Sequence, residues 1–222
     1  MINAVLFDLD ETLLDRSGAI HNFVADQYGR FASALDRIGP KVFAERFLAL
    51  EDYGRVPKDQ FYPALVEKLG IKDISAVEML EDYRQHYPSC AVLQPGAHAT
   101  IAAIRADGLL TGVITNGNDR VQQAKLTATG LRDLLDIVVV SEAVGLRKPD
   151  PAIFALATND LGVASDRSIY VGDNPAVDIV GAAGAGLETA WFRNPPVWPE
   201  GIGPRATVEI DHLHEMLGYL ER

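Results

Sequence analysis

Asp8 and Asp10 stand two residues apart in VLFDLDETLLD (5–15), where an apolar run gives way to acids, with Thr12 close behind. A carboxylate in such a place can attack as a nucleophile, pass a proton or hold a cation. Carboxylates this close repel one another, by roughly 4 kcal/mol at about 4 Å and an effective dielectric near 20. Something must offset that cost. Three more segments carry polar groups at the ends of apolar runs or before a helix start. Thr115 and Asn116 close one run, Lys148 lies in RKPDP, and Gly172, Asp173 and Asp178 lie in GDNPAVD. Each alone has a bland reading: DxD as a turn with solvated acids, GDNPAVD as a helix cap, Lys148 as a surface lysine. Acids, a hydroxyl and a lysine arriving from four segments at one edge make a much stronger signal.

The elements that must position these groups are short apolar runs bounded by turn signals. They are AVLF (4–7), LLTGVIT (109–115), DIVVV (136–140), SIYVG (168–172), LETAWF (187–192) and a weaker ATVEI (206–210). Runs apolar on both faces fit strands of a parallel sheet. Helix-length segments lie between them, among them 98–107, 121–130 and 151–162. Strands alternating with helices imply right-handed crossovers and an α/β, doubly wound, Rossmann-like parallel sheet. In such sheets chemistry sits at the carboxyl ends of the strands, where strand order reverses. Asp150-Pro151 reads as an N-cap and first helical residue just after Lys148.

One stretch breaks the alternation. Residues 17–94 hold only helical patterns, at roughly 18–37, 41–53, 58–69 and 74–87, separated by Gly39-Pro40, Val56-Pro57 and Gly70. The expected organisation is an α/β core of residues 1–16 and 95–222, with 17–94 as an inserted helical bundle covering the carboxyl end of the sheet.

In order and spacing these motifs resemble the haloacid dehalogenase-like superfamily across essentially the whole chain. Its four motifs stand here as DLDET, ITNG, the lysine of RKPDP, and GDNPAVD. The run from ITNG through TGLRD, VVVSEAVG and RKPDPAIF is most similar to the capped phosphatases that include pyrimidine 5′-nucleotidases and phosphoglycolate phosphatase-like enzymes. The resemblance implies a phosphatase with Asp8 as nucleophile, forming an aspartyl-phosphate. It makes Asp10 the acid that protonates the leaving alkoxide and then activates water. It implies Mg²⁺ held by Asp8, the Asp10 backbone carbonyl and Asp173, a set of hard oxygen donors, and this cation would relieve the repulsion among the acids. Thr115, the Asn116 N–H and Lys148 would bind the phosphate. Asp178 would support the metal shell, and Thr12 would order the loop.

Charge and composition narrow the partners. A net charge of −11 over 222 residues opposes nucleic-acid binding, which needs a basic stripe, but leaves room for a small phosphorylated metabolite. Cys90 is the only cysteine, so an internal disulfide is excluded, and no His-plus-acid pattern marks it as a catalytic thiol. The short apolar start lacks the pattern of a signal peptide, and no run approaches the ~20 apolar residues of a membrane span. The expectation is a soluble, cytoplasmic protein with no membrane partner.

Other features carry less. GAAGAG (181–186) ends a helix, so it reads as small-residue packing rather than a dinucleotide loop. His212 and His214 fall in a polar segment, and NPPVWPEG (194–201) either rims the site or covers a sheet edge. Arg16, Arg55 and Lys58 read as surface cations, and Phe23, Tyr28, Phe47 and Tyr53 as core aromatics, with stacking on a nucleobase as the alternative. The competing functions are a phosphoaspartate switch, a dehalogenase, a phosphomutase and a non-enzymatic relic. The helical insertion and the early position of Asp8 oppose the switch. Asp10 opposes the dehalogenase, which needs no proton for a halide.

Overall fold

The computed structural model describes residues 1–54, 56–194 and 197–221, with Tyr53 described by its backbone alone. Arg55, Pro195, Pro196 and the Tyr53 side chain therefore lie outside the described residues. Contacts divide the chain into two units, Met1–Asp15 with Val92–Arg222, and Arg16–Ala91.

In chain order the elements are β1 (Ala4–Phe7), α1 (Arg16–Arg30), α2 (Ala32–Leu35), α3 (Pro40–Glu51), α4 (Lys58–Leu69) and α5 (Ala76–His86). Then come α6 (Ala97–Ala106), β2 (Leu110–Thr115), α7 (Asp119–Ala128), β3 (Ile137–Val140), α8 (Ser141–Val144) and α9 (Pro151–Leu161). The chain continues through β4 (Ser168–Gly172), α10 (Val180–Gly184), β5 (Glu188–Phe192), β6 (Val208–Ile210) and α11 (Glu215–Leu220).

Among the described residues six strands form one parallel sheet in the order β3-β2-β1-β4-β5-β6. The order reverses between β1 and β4, so the sheet is doubly wound and its switch point lies between those two strands. β1 is buried throughout, as its uninterrupted apolar sequence requires. On one face Leu6, Ile114 and Tyr170 pack with Ile153, Phe154 and Ala157 of α9 and Ala182 of α10. Gly112 lets this core close: a Cβ there would stand 2.4 Å from Ile137 Cγ2 and 2.7 Å from Leu6 Cδ2. The small-residue run near 181–186 does the same work at α10, where a Cβ on Gly181 would meet Phe154 at 2.7 Å and the Pro149 carbonyl at 2.9 Å.

The helical unit builds its own core from aromatic side chains. Phe23, Phe43, Phe47, Phe61 and Tyr62 are fully buried and meet edge-on or tilted, with Phe47 and Phe61 centroids 4.6 Å apart. Gln27 lies among them, and its amide donates to the Met79 carbonyl (3.1 Å) and Asp82 (2.9 Å) while its carbonyl accepts from Tyr62 (3.2 Å). Helix ends follow local chemistry: Ser75 and Glu78 form a capping box before α5, and Gly70 takes the left-handed conformation that closes α4. The pattern expected as one helix over 18–37 is two, broken at Phe31 with φ −108° and ψ 20°. Gly29, two residues earlier, weakens the helix there.

One expectation within this unit is corrected and another is met, for the surface cations and the core aromatics respectively. Arg16 and Lys58 are not surface cations: their side chains are 11% and 15% exposed, and both pair with buried Glu51. Phe23 and Phe47 have no exposed face to offer a base, and Tyr28 lies half-buried against Phe43. No described helix is long and apolar enough to cross a membrane.

Candidate active site

β1 and β4 run side by side to the switch point, and the Asp8 N–H extends their ladder by donating to the Val171 carbonyl at 2.8 Å. The chain then turns sharply. Glu11 adopts a left-handed φ of 66°, and the Leu13 and Leu14 N–H groups both return to the Leu9 carbonyl. Burial of Leu9, Leu13 and Leu14 anchors this turn, which leaves the acids between them on the polar side.

Lys148 collects what the strands deliver. Its ammonium, with the side chain 2% exposed, donates to Asp8 Oδ1 (2.5 Å), Asp178 Oδ1 (2.7 Å) and the Tyr170 hydroxyl (2.8 Å). A lysine has three donors, and all three are used. The lysine backbone is fixed as well: its N–H donates to Asn116 Oδ1, and its carbonyl accepts from Asn116 Nδ2, both at 3.0 Å. Asn116 thereby ties the end of β2 to the loop before α9 through its side chain.

The fourth segment explains the glycine of its motif. After β4 the chain enters a π-helical turn, Pro175–Ile179, whose first N–H groups at Ala176 and Val177 bond to Asn174 Oδ1. This turn brings the Asp178 side chain back against Gly172, where a Cβ would lie 2.5 Å from Asp178 Cβ. Asp178 Oδ2 accepts from the Asn174 N–H at 3.0 Å. The Trp191 indole donates to the Asp173 carbonyl at 2.8 Å, and the Thr12 hydroxyl accepts the Asp173 N–H at 3.1 Å. Thr12 also lies 3.4 Å from Asp173 Oδ1 and 3.5 Å from Asp8 Oδ2.

Carboxylate oxygens of Asp8, Asp173 and Asp178 all lie within 4.8 Å of one another. Burial pushes the Asp8 carboxyl up to about 7, with Lys148 opposing and Asp178 adding to the rise. Burial, then Asp178 and Asp8, push Asp173 up to about 9. Burial alone would lower Lys148, but Asp178 and Asp8 overcome it and hold the ammonium charged. Lysine thus answers part of the negative charge, and the two raised acids mark the remainder. A cluster of oxygen donors with unanswered charge fits a hard divalent cation, and these three carboxylates can hold a metal ion.

Asp10 takes no part in that carboxylate cluster. Its oxygens accept from Lys125 Nζ at 2.8 and 2.9 Å, and Oδ2 also accepts from Gln122 Nε2 at 3.0 Å. The same Gln122 nitrogen donates to Thr115 Oγ1 at 2.7 Å. Gln122 and Lys125 lie on the buried face of α7, whose N-terminus is capped by Asn118. Sequence reasoning passed over both, and over Tyr170. The available signal was a conflict within α7, where polar residues three apart occupy the same face as Val121 and Leu126.

The remaining candidates fall elsewhere or are inert. His212 and His214 stack on each other in an exposed segment. Burial and Asp26 raise the Cys90 thiol, the opposite of an activated nucleophile. Of the 194–201 loop, Asn194 reaches Glu11 and Trp198 packs edge-on against Trp191, so its described parts adjoin the Asp173 side of the site.

A family model for haloacid dehalogenase-like hydrolases matches residues 2–186. Pyrimidine 5′-nucleotidase of Escherichia coli K12 is 44% identical over 126 residues, which are 55% of each chain, so the match spans about half of that relative. N-acetylmuramic acid 6-phosphate phosphatase of Pseudomonas aeruginosa PAO1 is 31% identical over 229 residues, covering 100% of this chain and 96% of the relative. Among solved structures, a HAD phosphatase from Thermococcus onnurineus superposes with a TM-score of 0.73 at 29% identity, covering 99% of this chain and 98% of the other.

Proposed function

This chain belongs to the haloacid dehalogenase-like hydrolases, and from that premise we propose that it is a Mg²⁺-dependent phosphatase of small phosphate monoesters. Asp8 attacks phosphorus, the ester P–O bond breaks, and the leaving alkoxide takes a proton from Asp10. Asp10 then takes a proton from water, which attacks the aspartyl-phosphate, freeing inorganic phosphate and Asp8. Splitting the hydrolysis through a carboxylate nucleophile divides one hard step into two easier ones. Bound by Asp8, Asp173 and the Asp10 carbonyl, with Asp178 in support, Mg²⁺ would supply Lewis-acid neutralisation of the phosphate and of the clustered acids. Thr115 and the Asn116 N–H offer donors to the phosphate oxygens, Lys148 brings its charge to them and would exchange its hydrogen bond to Asp8 for one to phosphate, and Thr12 orders the loop between the acids.

One observation carries the reading: an acid two residues beyond Asp8, its carboxylate anchored by Lys125 and Gln122 rather than absorbed into the metal-binding cluster. A dehalogenase has no leaving group to protonate and no use for it. Asp10→Asn tests this directly. The kcat/KM of an alkyl phosphate, which ends at formation of the aspartyl-phosphate and so omits the water step, should fall by roughly 10²–10⁴-fold, the range of acid–base catalysis, and that of p-nitrophenyl phosphate much less. Equal losses on both esters would sink the assignment.

The helical unit Arg16–Ala91 is the proposed cap that sets specificity, within an organisation of core 1–16 and 95–222 and cap 17–94. Relatives named for a pyrimidine nucleotide and for a sugar phosphate support small monophosphates, with pyrimidine nucleotides ahead. The net charge of −11 keeps polyanionic nucleic acids away, and we place the protein in the cytoplasm. A phosphate-release screen comparing kcat/KM for UMP and dUMP against sugar phosphates and phosphoglycolate decides the order. If no nucleotide exceeds the best sugar phosphate, the nucleotide preference fails and the phosphatase stands.

A further inference from the structure

Lys125 is an expensive residue for its position. It is 3% exposed, and burying an ammonium costs several kcal/mol that its ion pair must return. An apolar residue would serve the packing of α7 at lower cost. What the lysine does instead is hold both oxygens of Asp10, at 2.8 and 2.9 Å, while leaving that carboxylate 22% exposed. Gln122, itself 2% exposed, completes the hold on Oδ2 and spends its other amide proton on Thr115 Oγ1. A hydroxyl that accepts from Gln122 has its own proton directed elsewhere.

We propose that Gln122 and Lys125 are a positioning pair. Lys125 fixes the orientation in which Asp10 exchanges its proton with the leaving group and with water. Gln122 couples that orientation to Thr115 and aims the threonine hydroxyl proton at the substrate phosphate. The pair is one rigid unit, because both side chains rise from one face of α7, three residues apart. The inference rests on the assignment of Asp10 as the acid–base group.

The test is a set of kinetic cycles on the full chain with Mg²⁺, using an alkyl phosphate and p-nitrophenyl phosphate as paired substrates. Lys125→Met should lower kcat/KM for the alkyl ester at least about tenfold, up to the roughly 10²–10⁴-fold limit set by Asp10→Asn. The kcat/KM of the p-nitrophenyl ester, which stops at the aspartyl-phosphate, should lose less than about threefold, because its leaving group needs no proton. Lys125→Arg should recover most of the loss. In an Asp10→Asn background Lys125→Met should add almost nothing, since the group it positions is gone. Gln122→Met should show a smaller loss of the same leaving-group dependence together with a raised KM, and it decides the matter alone should Lys125→Met not fold. Losses equal on the two esters, or losses that multiply with Asp10→Asn, overturn the inference while leaving the role of Asp10 intact. If Asp10→Asn itself falls equally on both esters, the acid–base assignment fails first and carries this inference with it.

Discussion

Metal-free protein should lose stability as the pH rises from 5 to 7, and Asp8 should be a main cause. Burial lifts its carboxyl from an ordinary 3.8 to about 7. Below 3.8 the group is protonated in folded and unfolded chains alike and contributes nothing. Between the two values the unfolded chain has released its proton and the folded chain still holds it, so the free energy of unfolding falls as pH rises. Each pH unit well inside that window is worth about 1.4 kcal/mol and the slope fades as pH nears the folded value, so the rise from 5 to 7 removes roughly 2 kcal/mol. That is a large share of the roughly 5–15 kcal/mol that holds a domain together. Lys148 is protonated in both states throughout, and Asp173, lifted to about 9, continues the trend above neutrality. The assay is urea unfolding in EDTA at pH 5, 6, 7 and 8, for wild type and Asp8→Asn, repeated with Mg²⁺. Subtracting the variant removes the histidines and surface acids that titrate in the same range. The difference should decline with pH in EDTA and flatten with Mg²⁺, which binds the ionised acids of the folded state alone. A wild-type slope no steeper than that of Asp8→Asn would refute the reasoning.

Asp173→Ala should raise the Mg²⁺ concentration needed for half-maximal activity by at least about tenfold, read from metal titrations after EDTA treatment. Gly112→Ala should destabilise the core by about 1–3 kcal/mol in urea unfolding, because its Cβ enters the space of Ile137 and Leu6. Gln27→Leu should cost about 1–3 kcal/mol by stranding the Tyr62 hydroxyl and removing the second hydrogen bond of the Met79 carbonyl. Adding Tyr62→Phe should recover part of that loss, and a further fall in its place would show that the hydroxyl has another partner.

The strands were legible because a buried parallel strand admits little but apolar and β-branched residues, so AVLF and SIYVG announce themselves and coincide with β1 and β4. The acids were legible because four segments carry polar groups at one edge in matching order and spacing, although DxD alone reads as well as a solvated turn. Asp8, Lys148, Asp173 and Asp178 do converge, although they come from three separate segments. Arg16 and Lys58 were misread because a long cation defaults to the surface, and their buried partner Glu51 announces nothing in sequence. Gln122 and Lys125 stayed hidden for a related reason. A polar residue on a helix is taken to face water unless its partner is known, and their partners Asp10 and Thr115 lie on other strands' ends. The π-helical turn that carries Asp178 has no periodicity of its own to detect.

The position of β1 in the sheet has a consequence for the birth of the chain. Ala4 pairs with Leu110 on one side and Ser168 on the other, with the whole helical unit threaded between the first strand and its nearest partner. On a ribosome adding roughly 5–20 residues each second, β1 emerges seconds before either neighbour exists. Arg16–Ala91 can meanwhile gather its own aromatic core from contacts close in sequence. The Val5-Leu6-Phe7 strand has no such refuge, and it waits as an unpaired, wholly apolar edge. Nascent chains arrested before β4 should therefore be captured by hydrophobic-binding chaperones through Val5-Leu6-Phe7, and released once Ser168–Gly172 has cleared the exit tunnel.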